Sequence, residues 1–185
     1  LEHCADGSWL AVARLDPTGV GMRYSRSTNQ GVTWSPPLPL SGVPIQSGYA
    51  YDVDPHLQLM PNGVLVLSYG SRKISPDWRY TTNRVAFSTN HGATWTSVTN
   101  TFVGAMTSGV APGGMTTGYT AAIPVTAHRF LLVGDTGSHK HYATVMPSPN
   151  PFSIWGKYVD VVRPEQNRID LKCSGQGIKK KLLGL

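Results

Sequence analysis

The sequence predicts an all-β chain built from four-stranded antiparallel meanders. Three observations lead there. An eight-residue motif recurs, short apolar runs alternate with dense turn signals, and no stretch shows the apolar periodicity of an amphipathic helix. Ser27-Thr28-Asn29-Gln30-Gly31-Val32-Thr33-Trp34 returns 61 residues later as Ser88-Thr89-Asn90-His91-Gly92-Ala93-Thr94-Trp95, with six of eight positions identical. Each copy follows a short strand-like run, at 21–25 and at 84–87. Ser and Asn side chains can bond nearby backbone N–H groups, and Gly allows a positive φ where the chain reverses. The indole can fold back over the turn as a small apolar plug. The motif therefore reads as a rigid corner between two strands.

The first unit covers residues 1–40. Asp6-Gly7 is a tight turn, Ser8 to Arg14 a strand, and Asp16-Pro17-Thr18-Gly19 the next turn. Val20 to Ser27 runs into the first motif. A strand led by Trp34 then ends at Pro36-Pro37, because proline cannot donate to a ladder. Residues 41–53 read as a loop rich in Gly, Ser and Tyr.

The second unit covers residues 54–103. His56 to Met60 alternates, Pro61-Asn62-Gly63 turns, and Val64 to Tyr69 is a strongly apolar strand. A loop at 74–83 precedes strands at 84–88 and 94–99, which flank the second motif. The connection at 104–118 is long, and long connections tend to carry function. A third unit has strands at 118–125, 129–134, 140–146 and 154–162, without the motif. A last short strand is expected at 167–171. The domain is thus placed at 1–171, with 172–185 as a flexible basic tail.

A chain of 185 residues is long enough for one domain with a real core, and 40% apolar content with 20 Gly and 14 Pro suits short strands joined by turns. No run of eighteen apolar residues occurs, so no membrane span is expected. Leu1-Glu2-His3 has neither a basic start nor an apolar run, so no signal peptide is expected, and the lack of an initiator Met points to a mature or cut form. Net charge is +6, yet Lys172, Lys179, Lys180 and Lys181 all lie in the last fourteen residues, which hold no Asp or Glu. The body lacks a basic stripe, which argues against nucleic acid as a partner. Cys4 and Cys173 could pair or stay separate thiols, and the sequence leaves both open.

Ser-x-Asx-x-Gly-x-Thr-Trp resembles the Asp-box, or BNR repeat, of the sialidase-like β-propellers, with Asn29 and Asn90 where that family has Asp. The resemblance implies radial four-stranded blades. The chain would supply about three blades of a six-bladed ring, as its C-terminal half, and missing blades or a second chain would close it. It also implies that the box marks the rim, away from the catalytic centre.

Sialidase-like enzymes use a Tyr nucleophile with a carboxylate base, and arginines that grip the substrate carboxylate. Gly118-Tyr119-Thr120-Ala121, followed by an apolar strand pair ending at Asp135, resembles the nucleophile segment. Tyr119 is therefore the candidate nucleophile. A phenol titrates near pH 10, so a carboxylate must take its proton before attack. Asp54-Pro55-His56-Leu57 and the strands after it resemble the segment of the base, a Glu in the family. This makes Asp54 the candidate base and Arg72 the candidate ligand of the acidic group. Asp52 rivals Asp54 for the acidic role, and Tyr51, Asp52 and His56 join Arg72 in the substrate-binding set.

The resemblance also implies an arginine between the second box and Tyr119, but residues 96–118 contain none. Arg14 ends a strand of the first unit, and nothing in the sequence places it at the centre. His139 and His141 form an i, i+2 pair without further ligands, so neither a metal site nor a cofactor is expected.

The implied function is glycoside hydrolysis of an acidic glycan, exo-sialidase-like and extracellular or secreted. Two alternatives stay open: a propeller polysaccharide lyase using Tyr119, His56 and Arg72 on a uronic-acid glycan, and a non-catalytic glycan-binding propeller.

Overall fold

The computed structural model describes residues 1–15, 21–44, 49–73, 81–97, 118–135, 154–162 and 170–173. They form twelve strands and, among the described residues, no helix: β1 (Glu2–His3), β2 (Trp9–Ala13), β3 (Arg23–Ser27), β4 (Leu38–Pro39), β5 (Tyr49–Leu59), β6 (Leu65–Lys73), β7 (Thr81–Ser88), β8 (Thr96–Ser97), β9 (Thr120–Thr126), β10 (Arg129–Asp135), β11 (Ile154–Val162) and β12 (Asp170–Cys173). They assemble into three four-stranded antiparallel meanders, β1–β4, β5–β8 and β9–β12, each in sequence order. No helix among the described residues is long and apolar enough to cross a membrane.

The sheets stack in chain order. Successive side chains of a strand point to opposite faces. Leu65, Leu67 and Tyr69 therefore pack with Leu10, Met22 and Leu40 of the first unit. Val64, Val66, Val85 and Phe87 pack on the other side with Phe130, Leu132 and Val159 of the third sheet. A strand covered on both faces must be apolar at every position, which explains the unbroken run Val64-Leu65-Val66-Leu67. Each of these fully buried side chains stabilises the stack by about 1.5–3 kcal/mol.

The two motifs share the Ser and Asn bonds that hold the turn. Ser27 Oγ accepts from Gly31 N–H at 2.9 Å, and Asn29 Oδ1 accepts from Thr33 N–H at 2.9 Å. In the second copy Ser88 Oγ accepts from Gly92 N–H at 2.8 Å, and Asn90 Oδ1 from Thr94 N–H at 3.0 Å. The turns are left-handed at Gln30 (φ 58°) and Gly31 (85°), and at His91 (58°) and Gly92 (82°). Their surroundings differ. Trp34 is 39% exposed, whereas Trp95 is 5% exposed and buried against the first sheet. Arg26 also donates to the His91 carbonyl, tying the second turn to the first sheet.

Several sequence expectations change. No strand starts at Trp34; the edge strand is Leu38–Pro39, after the two prolines. Between them Ser35 substitutes irregular bonds: its N–H donates to the Arg26 carbonyl at 2.8 Å and its hydroxyl accepts from Arg26 N–H at 3.0 Å. Residues 49–53 are strand rather than loop, because β5 pairs with β6 up to Tyr49–Lys73. The third strand of the last sheet is Ile154–Val162 and the fourth is Asp170–Cys173, so strand structure runs two residues past 171. The strand expected at 140–146, the connection from 98 to 117 and the tail from 174 lie outside the described residues. Cys4 is a buried free thiol, and the Cys173 side chain lies outside the described residues.

Candidate functional site

Five of the six residues singled out by the sequence lie on the paired strands β5 and β6. Tyr51 is directly opposite Arg72, and Asp52 is opposite Ser71. The register then slips between Val53–Gly70 and His56–Ser68, leaving Asp54 and Pro55 as a bulge. Bulges re-aim side chains and recur beside functional sites. Asp54 adopts φ 50°, a left-handed conformation uncommon for a residue with a Cβ. Its Oδ1 faces Arg14 Nη1 at 4.0 Å, while its Oδ2 is buried with no hydrogen-bond partner among the described residues.

Asp52 is 3% exposed and accepts from Ser71 Oγ. Burial pushes its carboxyl pKa up, against the opposing pull of the Ser71 hydroxyl and the Arg84 charge. Arg84 is itself buried, opposite Tyr69 in the ladder. The Tyr69 phenol is pushed well above its usual range by burial first and by Asp52 second. Asp52, Ser71, Tyr69 and Arg84 form an ionic core beneath the bulge. That geometry suits Asp52 to holding the strands in place more than to touching a ligand.

Tyr119 enters from the third sheet. It immediately precedes β9 and is 62% exposed. Its neighbour Gly118 sits so close to β6 that a Cβ on Gly70 would lie 2.6 Å from the Gly118 Cα, with the Val53 side chain 2.9 Å away. The glycine at 70 therefore lets the backbone before Tyr119 reach Val53, the residue that precedes Asp54. His56 secures the same junction lower down. Its Nδ1 accepts from Ala122 N–H at 3.3 Å, and burial lowers its pKa. Thr120 and Ser68 add buried hydroxyls without a partner among the described residues.

The junction thus gathers Asp54, Arg14 and the approach to Tyr119 from three sheets. It pairs the Tyr51 and Arg72 backbones on the next rung. Sequence reading left Arg14 unplaced and passed over Arg84, Ser71 and Tyr69. Arg14 comes into range only because the first and second sheets stack; its position at the end of β2, where the strands of the middle sheet also carry their polar residues, is the one local signal. Among the described residues, no group of three or more His, Cys, Asp or Glu is placed to hold a metal ion. A scan of protein-family models and a search of curated proteins return no match to this chain.

Proposed function

We propose that the chain forms half of a sialidase-like β-propeller and acts in the hydrolysis of acidic glycans. Tyr119 is the nucleophile, Asp54 its base, and Arg14 with Arg72 the cations for the acidic group. The observation that carries this reading is the junction itself. The Asp54 carboxylate, in a left-handed bulge of the second sheet, faces the Arg14 guanidinium of the first, and Gly118, the residue before the exposed Tyr119, packs on Gly70 of the same middle sheet. Strain of this kind is retained where the surrounding structure imposes it, commonly at functional sites. The twin boxes, with matching bonds between the third and fourth strands of their sheets, support the propeller assignment.

Chemically, Asp54 takes the phenolic proton as the Tyr119 oxygen bonds to the anomeric carbon and the glycosidic C–O bond breaks. The departing oxygen takes a proton from a general acid, a role that no residue described here is assigned. Water then attacks the anomeric carbon of the glycosyl-tyrosine as the conjugate base of that general acid takes its proton, and the proton held by Asp54 returns to the leaving phenolate, which restores the starting protonation states. The engagement of His56 Nδ1 by a backbone N–H weighs against the lyase alternative, in which that ring would work as acid or base.

Release of 4-methylumbelliferone from a panel of sialosides and uronosides tests the reading. Tyr119→Phe is expected to lower turnover at least about 100-fold, since the phenol oxygen is the atom that bonds to sugar. Equal turnover by the wild type and Tyr119→Phe would remove the nucleophile from the proposal.

A further inference from the structure

Among the described strands, none packs on the outer face of the first sheet or of the third. On the first sheet, the face turned away from the stack carries Trp9, Ala11 and Ala13. The first box projects beside it, with Gln30 and Trp34 exposed. On the third sheet, the outward face carries the cross-strand row Ile123–Leu131–Tyr158. Ile123 and Tyr158 are exposed, as is Ile154 at 81%. Arg129 lies on the same face, its guanidinium bonded to Asp160 at 2.5 and 2.9 Å and 5.9 Å from the Tyr158 ring centroid. Adjacent bulky apolar residues on an open sheet face mark an interaction surface.

The contact between the first two sheets shows what such faces fit. Register aligns Trp9, Ala11 and Ala13, read back from Ser27, with Leu65, Leu67 and Tyr69, read back from Ser88. The latter three are buried against the first sheet. The second box lies on that sheet too: Arg26 bonds the His91 carbonyl, and a Cβ at Gly92 would collide with Leu10. The positions of the first box that match His91, Gly92 and Trp95 are Gln30, Gly31 and Trp34. At Gly31 a Cβ would meet only Trp34, at 3.8 Å. The same surface, built from the same motif, is covered once and, among the described residues, bare once.

We propose that the first-sheet face and first box of one copy of this chain dock on the outward third-sheet face of a second copy. The bulky row Ile123–Leu131–Tyr158 fills the shallow strip over Ala11 and Ala13, and Arg129 supplies a guanidinium for the first box as Arg26 does for the second. The contact is head to tail, and head-to-tail contacts close only if their rotation completes a circle. Two copies present six four-stranded sheets, within the range at which such sheets close radially. Two identical contacts per pair then cover all four open faces.

Sedimentation equilibrium and light scattering on the full 185-residue chain test this, together with Ala13→Glu and Ile123→Glu. Both residues are exposed in the single chain, so folding is checked by an unchanged circular dichroism spectrum. The wild type is expected at twice its 20.0 kDa mass. Each variant is expected to weaken association at least about tenfold, because each places a charge in an apolar contact. A wild type that stays monomeric at every concentration overturns the proposal. So does a dimer weakened by Ile123→Glu but indifferent to Ala13→Glu, since third-sheet faces would then be pairing with each other. An unending ladder of oligomers overturns the closure of the pair.

Discussion

Arg14 Nη1 stands 4.0 Å from Asp54 Oδ1, although forty positions separate the two in sequence. The contact joins the end of β2 to the bulge of β5 and puts a permanent cation beside the candidate base. Both side chains are partly exposed, so their pairing contributes only about 0–1 kcal/mol to stability. Its consequence should be in binding. Arg14→Gln is expected to raise KM for acidic glycosides at least about tenfold while leaving neutral glycosides unaffected, because a guanidinium–carboxylate contact is charge-assisted. Thermal unfolding of the variant should move by no more than the pair is worth. Parallel KM increases on charged and neutral substrates would remove Arg14 from the acidic-group site.

The left-handed bulge at Asp54 makes a second expectation. Asn tolerates φ near 50°, and a β-branched residue does not. Asp54→Asn should therefore unfold within about 1 kcal/mol of the wild type, while Asp54→Val should lose about 1–2 kcal/mol more. Both should lose turnover, since neither side chain can accept the phenolic proton. Chemical denaturation of the two variants reads the backbone effect apart from the chemistry. Equal stabilities for Asn and Val at this position would mean that the bulge is not held left-handed in solution.

The twin boxes separate two costs that usually arrive together. Gly31 and Gly92 share a left-handed φ, but only Gly92 lies against side chains of another sheet, Leu10 foremost. Gly31→Ala should cost about 1–2 kcal/mol for the backbone alone. Gly92→Ala should cost about 1–3 kcal/mol beyond that, because a methyl group there overpacks the contact between the sheets. Urea denaturation of the two variants, compared at equal slope, checks the difference. At concentrations low enough to keep the chain a single copy, equal losses for Gly31→Ala and Gly92→Ala would mean that the second box does not press on Leu10 in solution.

The repeat made the architecture legible because its eight residues settle a complete turn locally. Every side-chain bond of Ser27 and Asn29 stays within six residues, so sequence alone specifies it. The run Val64–Leu67 was equally legible as a strand, although its two-sided burial depends on both neighbouring sheets. Tyr119, Asp54 and Arg72 could be nominated from resemblance. Arg14 could not, because its partner is set by sheet stacking and not by spacing. The edge strand was misplaced for a similar reason: Ser35 replaces ladder bonds with its own hydroxyl, which periodicity cannot register. Register mattered most at Tyr49–Val53, where a Gly- and Ser-rich approach resembles a loop until its pairing with β6 is known.

His56 links this junction to pH. Its Nδ1 must be unprotonated to accept the Ala122 N–H, and burial lowers its pKa, with Glu2 opposing. A histidine whose folded pKa lies below its unfolded value near 6.5 binds fewer protons in the folded state across that window. Its contribution to stability is complete above pH 6.5 and is lost as pH falls towards the folded value. Stability should therefore decline as pH falls below about 6.5 in the wild type. His56→Asn keeps an acceptor of similar reach but cannot titrate, so the decline should be shallower in the variant. Subtracting the two stability–pH curves cancels the carboxylates they share, Glu2 and Asp54 among them. A difference curve that stays flat across this range would show that His56 titrates alike in the folded and unfolded chains, and that the bond to Ala122 does not select its neutral form.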